Sequence, residues 1–178
     1  MQKIVNKIYK DNPIAQSFLL KHSLAVSNMS CKIAERVGGV DVEFVREAAL
    51  IHDIGIIFTH APDLNCFGDA PYIKHGIIGE RLLTDLGFPR HARVCRTHVG
   101  VAITKEMIQE AKLPLPYEDM IPITQEEIIV AYADKFFSKS PQWIDRVKPL
   151  DVVVDSIKAH SRVSADIFME WHNLYGEL

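Results

Sequence analysis

Apolar residues recur at three- and four-residue steps along most of this chain, which is the pattern of amphipathic helices. The first helical face contains five apolar residues and one histidine at these steps: Phe18, His22, Val26, Met29, Ile33 and Val37. Gly38 and Gly39 predict the end of this helix. Asp41 suits the N-cap of the next helix, which we expect to run to Ile54 and to stop at Gly55.

Residues 56–74 show no clear period, and a long loop inside a domain is often functional. Helical patterns then return over five stretches, about 75–86, 89–100, 104–112, 124–138 and 151–160. A final helix reaches Tyr175. Strand signals are weak throughout. The pattern therefore predicts an all-α fold, built as a single helical bundle.

Composition narrows the classes of function. The chain has 178 residues, 48% of them apolar, and a formal net charge of -3. It is long enough for one domain with a proper core, and the absence of a basic excess predicts no nucleic-acid surface. The longest apolar run is too short for a membrane span, and the N-terminus lacks a signal-peptide core. Three unpatterned cysteines (Cys31, Cys66 and Cys95) fit a reducing cytoplasm.

Six histidine and aspartate residues lie on apolar helix faces or at their ends: His22, His52, Asp53, His75, His98 and Asp134. Burying such groups is costly unless a partner satisfies them. Side chains from facing helices can converge on one interior point and hold a metal there. We therefore interpret the six as metal ligands. By contrast, His91 is predicted on an exposed helix face, and His160 and His172 as surface or packing residues.

The order His22, then His52-Asp53-Ile54-Gly55, then Asp134 resembles the signature of the HD superfamily of metal-dependent phosphohydrolases, in its HDIG variety. The resemblance implies a single HD domain over residues 1–178. Its metal-binding core would occupy about 18–140, with C-terminal helices in 141–178.

Three short segments are similar to the bacterial diadenosine tetraphosphate hydrolases of this superfamily: Lys74-His75-Gly76, Thr97-His98-Val99-Gly100 and Ala133-Asp134-Lys135. The histidines in the first two match the positions that distinguish dinuclear members from mononuclear ones. The resemblance therefore implies two divalent transition-metal ions with Asp53 as the bridge. The other ligands divide between the two ions: His22, His52 and Asp134 for one, and His75 and His98 for the other.

The implied reaction is hydrolysis of a small nucleotide, or of another phosphate ester or anhydride, by a metal-bridging hydroxide. Asp53 is the candidate catalytic residue, because it could orient this hydroxide or accept its proton. The resemblance favours iron or manganese. The nitrogen and oxygen ligands also suit cobalt, nickel or zinc.

The sequence departs from many HDIG proteins at the residue after the glycine. They carry a lysine there, which can contact substrate phosphate, whereas this chain has Ile56. Lys74 and Lys135, each beside a candidate ligand, are the nearest replacements in sequence. Arg96 and Lys139 are further candidates.

Three alternatives stay open from the sequence. A mixed-valent di-iron oxygenase would use similar ligands, a non-catalytic module could bind a nucleotide, and a mononuclear enzyme would leave His75 and His98 without a metal. The resemblance also leaves room for a homo-oligomer, although no heptad pattern specifies one.

Overall fold

A computed structural model describes residues 1–140 and 142–176 of the chain. Within these residues, nine α-helices form the bundle: α1 (Gln2–Ile8), α2 (Pro13–Val37), α3 (Val42–Ile51), α4 (His75–Asp85), α5 (Pro89–Thr97), α6 (Lys105–Glu110), α7 (Gln125–Lys135), α8 (Leu150–Lys158) and α9 (Arg162–Tyr175). Two short antiparallel strands, β1 (His60–Ala61) and β2 (Cys66–Phe67), lie in the connection between α3 and α4. The predicted all-α fold is confirmed.

Local capping explains where the long helices begin. The side chain of Asn12 accepts a hydrogen bond from the Ala15 N–H at 3.0 Å and starts α2. Asp41 caps α3 in the same way through the Phe44 N–H, also at 3.0 Å. These caps satisfy backbone donors that a helix start leaves without partners. Gly38, at φ +70°, ends α2 as predicted.

The end of α3 corrects one expectation. The helix stops at Ile51 rather than at Ile54, so that His52 and Asp53 lie in its exit, and a 3₁₀ turn follows at Ile54–Phe58. Gly55 is therefore not the residue that ends the helix. A Cβ atom there would overlap the carbonyl oxygen of His75 and would lie 2.7 Å from the Gly79 nitrogen. Gly55 is required because this turn packs directly on the backbone of α4.

The connection from Thr59 to Lys74 is ordered by polar contacts as well as by its two strands. Asn12 and Asn65 bind each other reciprocally. The Asn12 amide donates to the Asn65 carbonyl oxygen at 2.7 Å, and the Asn65 amide donates to Asn12 Oδ1 at 2.8 Å. The Thr59 hydroxyl donates to the Ile56 carbonyl oxygen at 2.7 Å. The two asparagine bonds attach the connection to the start of α2, and the threonine bond closes the 3₁₀ turn that precedes it.

The apolar core has two main parts. One lies among α2, α3, α7 and α9, around Val26 and Tyr132. The other lies among α1, the first half of α2 and α4, around Leu19 and Leu83. Helix α2 passes from one part to the other between Leu19 and Val26, which is where His22 lies. The candidate chemistry thus sits at the junction of the two parts.

His91 was predicted to be exposed, and this was wrong. It is 9% exposed, with its ring centroid 4.9 Å from that of Phe44 and 5.7 Å from that of Phe88. Its Nε2 lies 3.4 Å from Glu47 Oε2. The packing of α3 on α5 covers it, and the periodicity of α5 alone does not reveal such a contact.

In the part of the chain described, none of the helices is both long and apolar enough for a membrane crossing.

The close approach at Gly55 predicts a stability effect. We expect Gly55→Ala to lower the free energy of unfolding by about 3 kcal/mol, because the added methyl group must displace α4 backbone. Gly87→Ala is the matched control. Gly87 has φ +83° and no neighbour within 4 Å of a built Cβ, so the substitution adds only backbone strain of about 1 kcal/mol. Urea unfolding followed by circular dichroism measures both, and equal losses in the two variants would contradict the packing role.

Candidate metal centre

Five helices bring the six predicted ligands together in the interior. His22 lies within α2 and Asp134 in the last turn of α7, whereas the other four lie at helix ends. The candidate ligand atoms form two groups, each within 4.8 Å of one another: a first cluster of His22, His52, Asp53 and Asp134, and a second cluster of Asp53, His75 and His98.

Asp53 belongs to both clusters and divides its two oxygens between them. Its Oδ2 lies 3.3 Å from His22 Nε2 and 3.2 Å from His52 Nε2. Its Oδ1 lies 3.3 Å from Nε2 of both His75 and His98. One carboxylate therefore faces two pairs of imidazoles, which is the geometry that a bridging ligand requires.

Asp134 completes the first cluster from the opposite helix. Its Oδ1 lies 3.0 Å from His22 Nε2 and 3.4 Å from His52 Nε2. In the second cluster the Nε2 atoms of His75 and His98 are 3.1 Å apart. In both clusters several nitrogens and oxygens converge on a small volume.

Backbone carbonyl groups hold three of the rings in a useful orientation. The Nδ1 atoms of His52, His75 and His98 bind the carbonyl oxygens of Ala49, Tyr72 and Val94, at 2.6, 2.7 and 3.2 Å respectively. A carbonyl oxygen can only accept, so each Nδ1 must carry the hydrogen. In a neutral ring, Nε2 then presents its lone pair to the cluster, as metal-bound histidines do.

Burial sets the protonation of the second cluster. It lowers the pKa of His75 to about 3 and also lowers the pKa of His98. Both rings are therefore neutral near pH 7, with a free lone pair. Burial also opposes a charge on His52, but Asp53 and Asp134 outweigh it and raise its pKa to about 9. The first cluster thus favours positive charge beside its carboxylates.

Both carboxylates stay ionised despite their burial. Burial alone would raise the pKa of each, but nearby positive charge holds the values well below the usual range. Lys139 and His52 have this effect on Asp53, and Lys135 and Lys139 have it on Asp134. The centre therefore holds two ionised carboxylates, which is the form that binds a metal.

The residues present fit a pair of divalent cations. His52 Nε2 and Asp53 Oδ1 are fully buried and have no hydrogen-bond partner among the described residues. A buried polar atom without a partner is costly, and a bound cation would satisfy both. Neither cluster contains a cysteine, so the donors are nitrogen and oxygen only, which suits divalent transition metals.

The two lysines predicted to bind substrate lie in different places. Lys135 contacts the first cluster, with its Nζ 2.7 Å from Asp134 Oδ2. Lys74 instead lines a separate cavity of about 640 Å³, together with Phe58 and Leu115. Adjacency to His75 in sequence does not bring Lys74 to the metal ligands, because successive residues of a helical turn point in different directions.

Of the further basic candidates, Lys139 reaches the centre and Arg96 has other partners. Lys139 Nζ lies 2.6 Å from Asp53 Oδ2, and its side chain is only 16% exposed. Arg96 binds Glu80 at 3.0 Å and Glu118 at 2.6 Å. Lys139 is thus the further basic candidate whose charge lies beside the two clusters.

A cavity of about 400 Å³ opens beside Asp134, and sequence reasoning missed much of its lining. Lys135 and Lys139 contribute to it, but so do Tyr72, Lys148 and Ile157. Lys148 and Ile157 lie beyond the region of the family resemblance, and no motif marks them. Only the folding of the C-terminal segment over α7 brings them to this cavity.

Comparison with known proteins identifies relatives of two kinds. An uncharacterized protein of Methanocaldococcus jannaschii is 37% identical over 140 residues, which cover 75% of each chain. Two tRNA (cytidine(56)-2'-O)-methyltransferases are also similar, with 30% identity for that of Thermoplasma volcanium and 32% for that of Picrophilus torridus. Their matches cover 81% and 79% of this chain but 37% and 36% of the methyltransferases. The chain therefore corresponds to little more than a third of their length.

The fold also matches a solved structure, that of the HD domain of the L. monocytogenes phosphodiesterase PgpH. The TM-score is 0.55 at 16% identity, over 97% of this chain and 95% of that one. Its complex with cyclic-di-AMP gives the same TM-score at 17% identity, over 99% and 98% of the two chains. At sequence identity this low, the structural match shows a shared fold alone.

A family model described as HD domain matches residues 19–139, more than half of the chain. Its span includes all six residues of the two clusters. The narrower similarity to diadenosine tetraphosphate hydrolases stays a prediction. The motif prediction of the broader family is confirmed: the chain belongs to the HD domain family.

Proposed function

We propose that this chain is a metal-dependent phosphohydrolase with two divalent transition-metal ions. The observation that carries the proposal is the division of the Asp53 carboxylate between two pairs of histidine nitrogens at 3.2–3.3 Å. One ion would be held by His22, His52 and Asp134, the other by His75 and His98, and both by Asp53.

The cations, when bound, would acidify a water molecule and neutralise charge on the phosphoryl oxygens. The chain's own residues have separate tasks. Asp53 is completely buried and would orient the water or accept its proton. Lys135 and Lys139 line the adjacent cavity and would bind the phosphate through charge-assisted hydrogen bonds.

The proposed substrate is a small nucleotide or another phosphate ester or anhydride. The lysines at the cavity support an anionic group there. The cyclic-di-AMP complex of a protein with the same fold is consistent with a nucleotide. Iron or manganese is the favoured metal. We also propose a cytoplasmic location, which agrees with three buried cysteines that are all free thiols.

The rival functions give different results in direct assays. A di-iron oxygenase would consume oxygen when loaded with iron, whereas a hydrolase would not. A non-catalytic nucleotide-binding module would bind a nucleotide tightly in the metal-loaded protein and leave it intact.

Metal content is the first test. We expect protein reconstituted with Mn²⁺ to retain two ions per chain by elemental analysis after desalting. His98→Ala should retain one ion, because it removes a ligand of the second cluster only, and Asp53→Ala should weaken both sites. His160→Ala is the control, since His160 is exposed. Two ions retained in Asp53→Ala would contradict its bridging role.

Hydrolysis is the second test. A panel of phosphomonoesters, phosphodiesters and nucleotides should reveal an activity that a chelator abolishes and added metal restores. Asp53→Ala should reduce kcat by about 10³-fold, the upper range for loss of one electrostatic group of an active site. His160→Ala should leave the rate unchanged. Full activity in the chelated protein, or in Asp53→Ala, would refute the proposed function.

A further inference from the structure

The cavity beside Asp134 suggests which phosphorylated compounds the centre accepts. We propose that it is a binding site for the phosphate of a mononucleotide-sized substrate, and that Lys148 and α8 complete it. We call it the lysine cavity, and its lining residues used here are Tyr72, Lys135, Lys139, Lys148, Ser156 and Ile157. The inference rests on the proposed function and adds the size of the substrate and the residues that select it.

Lys148 is the lysine of this cavity that makes no ion pair at contact distance within the described part of the chain. Lys135 and Lys139 each pair with a carboxylate of the centre, at 2.7 and 2.6 Å. Lys148 also lines the cavity and is half-buried. Among residues 1–140 and 142–176, no carboxylate oxygen lies within ion-pair distance of its Nζ. A partly buried ammonium group of this kind is stabilised by a bound anion.

The charges around the cavity also favour a bound anion. Asp53 and Asp134 are the carboxylates that Lys139 and Lys135 contact, and both are also the proposed ligands of the metals. Cations bound there would interact with the same carboxylates, so that less negative charge remains to balance the lysines. Three ammonium groups would then face the cavity with positive charge in excess, which a phosphate carrying two negative charges would balance.

The backbone holds Lys148 in place. Its N–H donates to the Phe136 carbonyl oxygen at 2.8 Å, just after the end of α7. Pro149 follows and is the N-cap of α8. From α8, Ser156 and Ile157 face the same cavity. Residues 148–157, beyond the match to the family model, therefore supply one wall of the proposed site.

The dimensions indicate one nucleotide rather than two. A volume of about 400 Å³ lies near the lower end of the range for small-molecule sites, about 300–1,000 Å³. Lys135 and Lys139 contact the carboxylates of the two clusters, and the Tyr72 ring and Ile157 add surface on which a sugar or base could pack. A phosphate at the lysines thus leaves room for one nucleoside.

Binding to the manganese-loaded full chain, measured by calorimetry, tests the role of Lys148. We expect Lys148→Met to weaken binding of inorganic phosphate about tenfold, in line with the loss of one hydrogen bond to a charged group, with two metal ions retained per chain. Lys158→Met is the matched control, because Lys158 ends α8, lies outside the lining of the cavity and is exposed; it should leave the affinity unchanged. Unchanged phosphate affinity in Lys148→Met would overturn the inference.

A second variant tests the size of the site. Ser156 lines the cavity and is itself exposed, so a larger side chain can be tolerated by the fold. We expect Ser156→Phe to weaken binding of adenosine 5′-monophosphate at least tenfold, while inorganic phosphate still binds within twofold of the original affinity. Equal affinity of Ser156→Phe and the unchanged chain for the mononucleotide would refute the size assignment.

These outcomes are separable from failure of the proposed function. If the chain hydrolyses phosphate compounds with metal and neither variant changes binding, the proposed function stands and the inference about the lysine cavity falls. If Lys148→Met and Ser156→Phe behave as expected but no compound is hydrolysed, the binding site stands and the phosphohydrolase proposal falls.

Discussion

A carboxylate enclosed by histidine rings is the constraint on which the rest of this structure depends. Asp53 has no exposed surface, and each of its oxygens faces two imidazole nitrogens. Taking such a charge out of water costs several kcal/mol unless opposite charge lies close to it. Lys139 provides one positive charge at 2.6 Å, and the two histidine pairs are arranged so that cations can provide the others.

The course of the backbone follows from this arrangement. Asp53 can face both histidine pairs because α3 stops at Ile51 and the chain turns immediately afterwards. That turn lies against the backbone of α4 at Gly55, and α4 begins with His75. The same contact that packs the turn therefore positions a ligand of the second cluster. Gly55 thus contributes both to stability and to the geometry of the site, which explains why a glycine follows the His-Asp pair so closely.

The metal centre and the cavity beside it are formed by different segments of the chain. The six residues of the two clusters lie within the part matched by the family model, whereas Lys148 and α8 lie after it. The matched part provides the residues suited to hold metals. The later segment covers the adjacent cavity and contributes a positive charge and apolar surface. In the proposed function, selection among phosphorylated compounds would therefore depend on residues outside the matched part.

Local sequence by itself determined the helical class, the cap at Asp41, and the six residues of the centre. Periodicity and capping act over a few residues, so they can be identified without the fold. Tertiary packing alone decided that α3 ends at Ile51, that His91 is buried, and that Lys139 and Lys148 reach the centre's cavity while Lys74 does not. The reason is geometric: neighbours in sequence point in different directions around a helix, and residues distant in sequence meet only when their helices pack together.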